Sequence, residues 1–240
     1  MATYTVSLKH RREVAEGTTA FLFEKPDGLS FKAGQYLNFT LLDPPETDAE
    51  GNTRTFSIAS APDEEELMMA TRMRDTAFKR VLKSMPLGAQ VEIEGPYGNF
   101  TLHKNAARPA VFLTGGIGIT PYRSIIRDAG RKKLPHRLLL FYSNRRPEDG
   151  AFLEELQQAE RDNPNYQFVG TMTDMANSKR PWQGKTGYIN RDMLAQSISD
   201  LTTPIYYIAG PPGMVTAMRK MLADADINDD SIRTEEFNGY

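Results

Sequence analysis

The hydrophobic period of this chain changes once, near residue 105, and that change constrains the fold more than any single motif. Before it, apolar side chains recur at every second position. Tyr4, Val6 and Leu8 alternate with Thr5, Ser7 and Lys9, the pattern of a half-buried strand. Runs of the same kind follow at AFLFEK, QYLNFTLL, RTFSIAS, ELMMATRM and AQVEIEG. Turn residues separate them: Pro26-Asp27-Gly28, Gly34, Pro44-Pro45, Pro62-Asp63, Pro86 and Gly88. One helix is predicted among them, TAFKRVLKSM, with Thr76 as its N-cap. Many short strands and a single helix predict a small antiparallel β-barrel.

From Pro109 the rhythm is strand then helix. PAVFLT, RLLLFYS, NYQFVGT, PIYYIAG and SIRTEEF read as strands. PYRSIIRDAGRKK, PEDGAFLEELQQAER, NRDMLAQSIS and GMVTAMRKMLADA read as helices between them. That alternation predicts an α/β doubly wound parallel sheet. The polar segment HKNAAR, His103 to Arg108, lies where the period changes. The predicted division is therefore a barrel over 1–105 and an α/β domain over 106–240.

Charge and composition narrow the function. A net charge of −2 supplies no general field for nucleic acid or anionic membrane. The sequence has no Cys, which excludes Cys-ligated iron–sulfur clusters, Cys-bound zinc and thiol nucleophiles from these residues. Its three histidines, His10, His103 and His136, lack metal-ligand spacing and read as surface or structural groups. MATYTVSLKH has no basic-then-apolar leader pattern, and no apolar run reaches spanning length. The expectation is a cytoplasmic protein without membrane insertion.

The stretch LTGGIGITPYR sits between the first strand and first helix of the second half. Backbone N–H groups at such a helix start attract phosphate. Gly115, Gly116 and Gly118 permit a turn and a close approach to a pyrophosphate, Thr120 is the expected cap, and Pro121 suits the first helical position. Taken singly, the stretch is equally a glycine-rich turn with no ligand.

It does not stand singly. RTFS (Arg54–Ser57), GPYGNF, GGIGITP, AGPPGM and the closing EEFNGY occur in one order along the chain. This ordered set resembles the ferredoxin–NADP reductase family, whose members pair a FAD-binding barrel with an NAD(P)-binding domain. The resemblance implies that Arg54 pairs with the flavin pyrophosphate, with Thr55 beside it in the same motif. Phe56 would lie against the isoalloxazine, where the family more often has Tyr, and Ser57 would hydrogen-bond near flavin N5. Thr76 would cap the barrel helix on the same pyrophosphate. Gly210, Pro211, Pro212 and Met214 of AGPPGM would border the nicotinamide. There the family's usual Cys is replaced by Ala209, an expected effect on rate and not on reaction type, because flavin and nicotinamide carry the chemistry. Glu235 matches a family acidic position near the flavin, for proton movement or for holding the tail. Phe237 and Tyr240 belong to the same closing segment, with Tyr240 as a ring able to cover the flavin and Gly239 as its hinge.

Ser143-Asn144-Arg145-Arg146 follows the second α/β strand, where such a domain meets the adenosine ribose. Ser143 and Arg145 are the candidate contacts. An arginine there suits a 2′-phosphate and tilts the reading to NADPH, with NADH left open. The implied activity is hydride transfer from NAD(P)H to FAD, then electron transfer to a separate carrier such as ferredoxin, flavodoxin or a haem protein. Lys79, Arg80 and Lys83 form a candidate positive patch for an acidic carrier. Two alternatives stand beside it: a reductase of small acceptors such as flavin or quinone, and a flavin-binding regulatory subunit.

Overall fold

A computed structural model describes residues 2–237. Six antiparallel strands make up the first half: β1 (Ala2–Ala15), β2 (Thr18–Glu24), β3 (Tyr36–Leu41), β4 (Thr53–Ser57), β5 (Glu66–Arg72) and β6 (Gln90–Tyr97). Their order in the sheet is β4-β3-β6-β1-β2-β5. The alternation read from the sequence decides which face is inside. On β1, Val6 and Leu8 are buried and Thr5 is exposed; on β3, Leu37, Phe39 and Leu41 are buried. Just past β4, the Ala59 amide donates to the Met68 carbonyl of β5 at 2.8 Å. This bond curls the sheet towards a barrel and shields its edges. Helix α1 (Ala77–Ser84) covers the barrel with Ala77, Phe78, Val81 and Leu82, one amphipathic face. Thr76 caps it as expected, its hydroxyl accepting from the Lys79 amide at 3.4 Å.

The second half runs β7 (Ala110–Gly115), α2 (Thr120–Arg131), β8 (Leu138–Asn144), α3 (Leu153–Asp162), β9 (Tyr166–Met172), β10 (Lys185–Thr186), α4 (Arg191–Ala195), β11 (Ile205–Gly210), α5 (Pro212–Ala223) and β12 (Ile232–Glu236). The strands are parallel, in the order β10-β9-β8-β7-β11-β12. Every residue of β7 and β11 is buried, which is why these segments read as unbroken apolar runs. Chain order reverses between β7 and β11, and the mouth of an α/β sheet at such a reversal is where ligands bind.

Two helix starts differ from expectation. Residues Gly116–Ile119 already form a 3₁₀ turn, so the chain enters α2 without a break. Thr120 is therefore inside helical geometry (φ −56°, ψ −49°), and its hydroxyl donates to the Ile117 carbonyl at 3.1 Å instead of capping. Helix α3 begins at Leu153, not at Pro147. Pro147–Asp149 make a separate turn, and Phe152 takes a left-handed conformation (φ 57°) with its buried ring 5.1 Å beneath the Arg123 guanidinium.

The halves are firmly joined. Arg123, 3% exposed, donates to the Ala59 carbonyl at 2.6 Å, and pairs with Glu64 of the barrel at 2.9 Å and Glu155 of α3 at 2.8 Å. The Ser124 hydroxyl donates to the Ser60 carbonyl at 2.7 Å. The HKNAAR segment is pinned to the second half, since the His103 amide donates to the Tyr207 hydroxyl at 2.8 Å and Arg108 donates to the Thr203 and Pro204 carbonyls. Among the described residues no helix is long and apolar enough to cross a membrane.

Candidate functional site

Two clefts open on either side of the β7–α2 loop. Of the residues singled out in the sequence, Arg54, Thr55, Phe56, Ser57, Thr76, Thr120 and Phe237 line the first, on the barrel side. Gly115, Gly116, Ser143, Arg145, Pro211 and Met214 line the second, at the mouth of the parallel sheet. Gly118, Pro121, Gly210 and Pro212 line neither, and Glu235 lies behind them on β12, in register with Ala209. Tyr240 and Gly239 lie outside the described residues.

In the barrel cleft, β4 carries Arg54 and Phe56 on one face. Phe56 packs edge-on to Phe39 (5.7 Å) and against Phe78 (5.8 Å), so the core fixes the part of its ring that faces the cleft. Ser57 is buried. The N-terminus of α1 points its first amides at the same place. Lys79 enters the cleft from α1, and desolvation, followed by repulsion from Arg74 and Arg54, holds its pKa below 10.5. Cations crowded beside a helix N-terminus suit a polyanion such as a dinucleotide pyrophosphate.

In the sheet-side cleft the decisive group is Asn144, the last residue of β8. It is 6% exposed and neither its amide oxygen nor its amide nitrogen has a hydrogen-bond partner. Such groups are seldom left unpaired in a folded protein, and this one closes β8 at the cleft lining. Arg145 beside it is an exposed cation paired with Asp174 at 3.0 Å. Arg146 is turned away, tied to Asp149 (2.9 Å) and to Glu16 of the barrel (3.1 Å).

The two glycines of the loop have different reasons. Gly116 has φ 54° and lines the cleft. Gly118 faces the protein: a Cβ there would lie 2.5 Å from the Ala209 carbonyl oxygen and 2.8 Å from the Gly210 Cα. It serves close packing of the loop on β11, not the ligand approach expected of it.

Glu235 is the most perturbed acid of the region. Burial raises its pKa from 4.5 to about 7, and its Oε2 has no hydrogen-bond partner. Because the folded-state value lies above the unfolded one, the native protein binds the extra proton between about pH 4.5 and 7, and stability falls as pH rises through that window. Glu235→Gln should abolish this loss, worth roughly 3 kcal/mol at pH 8. Urea midpoints at pH 5 and pH 8 test it; parallel curves for the two proteins would contradict the burial argument.

Sequence reading missed Arg72 and Asn144. Arg72 ends β5, lines both clefts and sits 3.6 Å from Asp149. A cation ending an apolar strand just before a capped helix was its signal. Asn144 lies in the Ser143–Arg146 stretch already placed at the ribose, but Ser143 and Arg145 were the candidates there and its burial had no sequence signal. Of the candidate carrier patch, Lys79 points into the cleft and Arg80 is paired with Glu46 and Asp75, while Lys83 is exposed.

The family model for an oxidoreductase FAD-binding domain matches residues 5–102, and that for an oxidoreductase NAD-binding domain matches residues 112–220. The chain is 31% identical over 205 residues to a component of the Na(+)-translocating NADH-quinone reductase of Klebsiella pneumoniae, covering 79% of this chain and 50% of that one. It is 29% identical over 212 residues to the reductase component of phenol 2-monooxygenase from a Pseudomonas species, covering 87% and 58%. The chain thus spans about half the length of the curated relatives it matches. A Neisseria gonorrhoeae ferredoxin NADP+ reductase solved with FAD and NADP superposes with TM-score 0.79 at 19% identity, over 98% of each chain. The FAD/NAD-binding domain of Vibrio cholerae nitric oxide dioxygenase superposes with TM-score 0.82 at 18% identity, over 97% and 98%. A FAD-binding barrel followed by a nicotinamide-nucleotide domain is the arrangement of the ferredoxin–NADP reductase family, and the chain belongs to that family of flavoprotein NAD(P)H oxidoreductases.

Proposed function

We propose that this protein moves reducing equivalents from NADPH, by way of FAD in the barrel cleft, to a separate electron carrier such as ferredoxin, flavodoxin or a haem protein. One observation carries the reading. The loop over residues 115–120 runs between the clefts, with Gly115 and Gly116 lining one and Ile117 and Thr120 the other, so ligands in the two would meet across it. FAD supplies the ability to accept electrons in pairs from a nicotinamide and release them singly or in pairs.

The chain's own residues bind and orient. Arg54 and the start of α1 at Thr76 hold the flavin pyrophosphate, Phe56 supports the ring, and Ser57 hydrogen-bonds at its reactive edge. The Gly115–Gly116 backbone and Pro211–Met214 frame the nicotinamide nucleotide, and Ser143 with Asn144 takes the ribose. Arg145 exchanges Asp174 for the 2′-phosphate, a dianionic and better partner for a guanidinium, which sets NADPH above NADH. Glu235, with a pKa of about 7, is poised to hold or release a proton near neutral pH. A cytoplasmic location and the division after residue 105 belong to the same reading, as does a Tyr240 ring covering the flavin.

The pairing of Arg80 with Glu46 and Asp75 favours a second reading, a reductase of small acceptors such as flavin or quinone, which needs no cationic docking face. Comparing turnover of quinone and free flavin with turnover of added ferredoxin or flavodoxin separates the two.

Arg54→Ala should weaken FAD retention by about 1.5–3 kcal/mol, the range for hydrogen bonds to a charged group. Flavin content after exhaustive dialysis reads this directly. Full occupancy in the variant would remove Arg54 from the site.

A further inference from the structure

The β3–β4 loop folds back over the two groups assigned above to the flavin pyrophosphate. The Asp48 Oδ1 accepts from Arg54 Nη2 at 2.8 Å, and its carboxylate lies near enough to the Ala77 amide, at the first turn of α1, for that N–H to help hold its pKa down. Glu50 adds a second carboxylate on Arg54 Nη2 at 3.1 Å. Arg54 Nη1 is taken up by the Glu50, Gly51 and Thr53 carbonyls at 3.1, 2.9 and 2.8 Å. Within the loop, the Glu50 amide donates to Asp48 Oδ1 at 3.1 Å and the Gly51 amide to the Asp48 carbonyl at 2.9 Å. A carboxylate thus bridges an arginine and a helix N-terminus, the pair of donors that chemistry selects for a phosphate oxygen.

We propose that Asp48 is a tethered stand-in for the flavin pyrophosphate: it holds Arg54 and the α1 N-terminus, must withdraw when FAD binds, and so sets how tightly and how exchangeably the flavin is held. The proposal rests on the FAD reading given above. Two anions cannot share these donors, since like charges in one partly desolvated cradle repel. Binding FAD therefore includes the cost of breaking the Asp48 contacts, and apparent affinity falls by that factor. Glu50 is a weaker competitor. Its side chain is 76% exposed and contacts Arg54 alone.

The test compares wild-type protein, Asp48→Asn and Glu50→Gln, each freed of flavin and titrated with FAD by flavin fluorescence. Asp48→Asn should bind FAD about tenfold more tightly and release it more slowly, the size of one charge-assisted contact. Glu50→Gln should change affinity by less than about twofold, as for an exposed pair. Hydrogen exchange on the wild type reads the same event without a substitution: FAD should speed exchange at the Glu50 and Gly51 amides, which now lean on Asp48. Unchanged or weaker FAD binding in folded Asp48→Asn, or slower exchange at those amides with FAD, overturns the proposal. If folded wild-type protein and both variants bind no FAD, the flavin reading itself falls, and this proposal with it.

Discussion

Arg123→Met should destabilise the folded protein by about 3–5 kcal/mol, the cost of removing one partner from a buried ion pair. The guanidinium is 3% exposed and serves three acceptors at once, Glu64, Glu155 and the Ala59 carbonyl. Met replaces the stem but strands Glu64, 15% exposed, with the Ala61 amide at 2.7 Å and Arg127 at 3.5 Å as its remaining partners. It also removes the cation above Phe152, the residue whose left-handed backbone sets the start of α3. Because these contacts join barrel to α/β domain, the loss should appear as a lower urea midpoint for both halves together. Adding Glu64→Leu to Arg123→Met should recover part of the loss, since no stranded charge then remains on the barrel. A single variant within about 0.5 kcal/mol of wild type, the range of ordinary surface changes, would show that the pair does not hold the halves.

Gly118→Ala should cost about 1–3 kcal/mol by overpacking and loosen nicotinamide nucleotide binding. The added Cβ meets only backbone, the Ala209 carbonyl at 2.5 Å for its oxygen and 2.8 Å for its carbon, and the Gly210 Cα at 2.8 Å. No side chain can rotate out of its way. Either the 116–119 turn lifts from β11 or β11 shifts in the sheet, and Gly115 and Gly116 move with it. Differential scanning calorimetry and nucleotide titration measure the two parts. Gly130→Ala is the control, because it lines neither cleft and its added Cβ would make only ordinary contacts with Asn163, at 3.8 and 4.0 Å. Equal behaviour of the two variants would contradict the packing argument.

Local pattern told most of the fold. The period-2 runs and the later strand–helix alternation depend on neighbours in sequence, and all six barrel strands and the long strands of the parallel sheet lie where those runs are. Thr76 was legible for the same reason, since a cap bonds three residues on. Features set by distant partners were not. Arg123 reads as one more helix charge, and its partner Glu64 is 59 residues away. Phe152 reads as the interior of a helix until that guanidinium sits on its ring. Gly118 looked like a ligand-facing glycine because its true neighbour, Ala209, belongs to a strand that pairs with β7 only in the folded sheet. Lys79 and Arg80 read as a solvent-facing patch because Glu46 and the cleft wall are brought to α1 by the barrel, while Asp75 lies just ahead of the helix. The clefts are lined largely by the motifs read in order, whereas Arg72, a barrel residue that lines both, needed the two halves side by side.

The central claim is that nicotinamide nucleotide and FAD react with each other across residues 115–120. An anaerobic titration of the purified, FAD-loaded protein tests it most directly, with the visible flavin absorption followed as NADPH and then, separately, NADH is added. Stoichiometric bleaching of the flavin band, complete at lower NADPH than NADH concentration, is the result predicted here. A flavin spectrum that neither nucleotide bleaches would contradict the account.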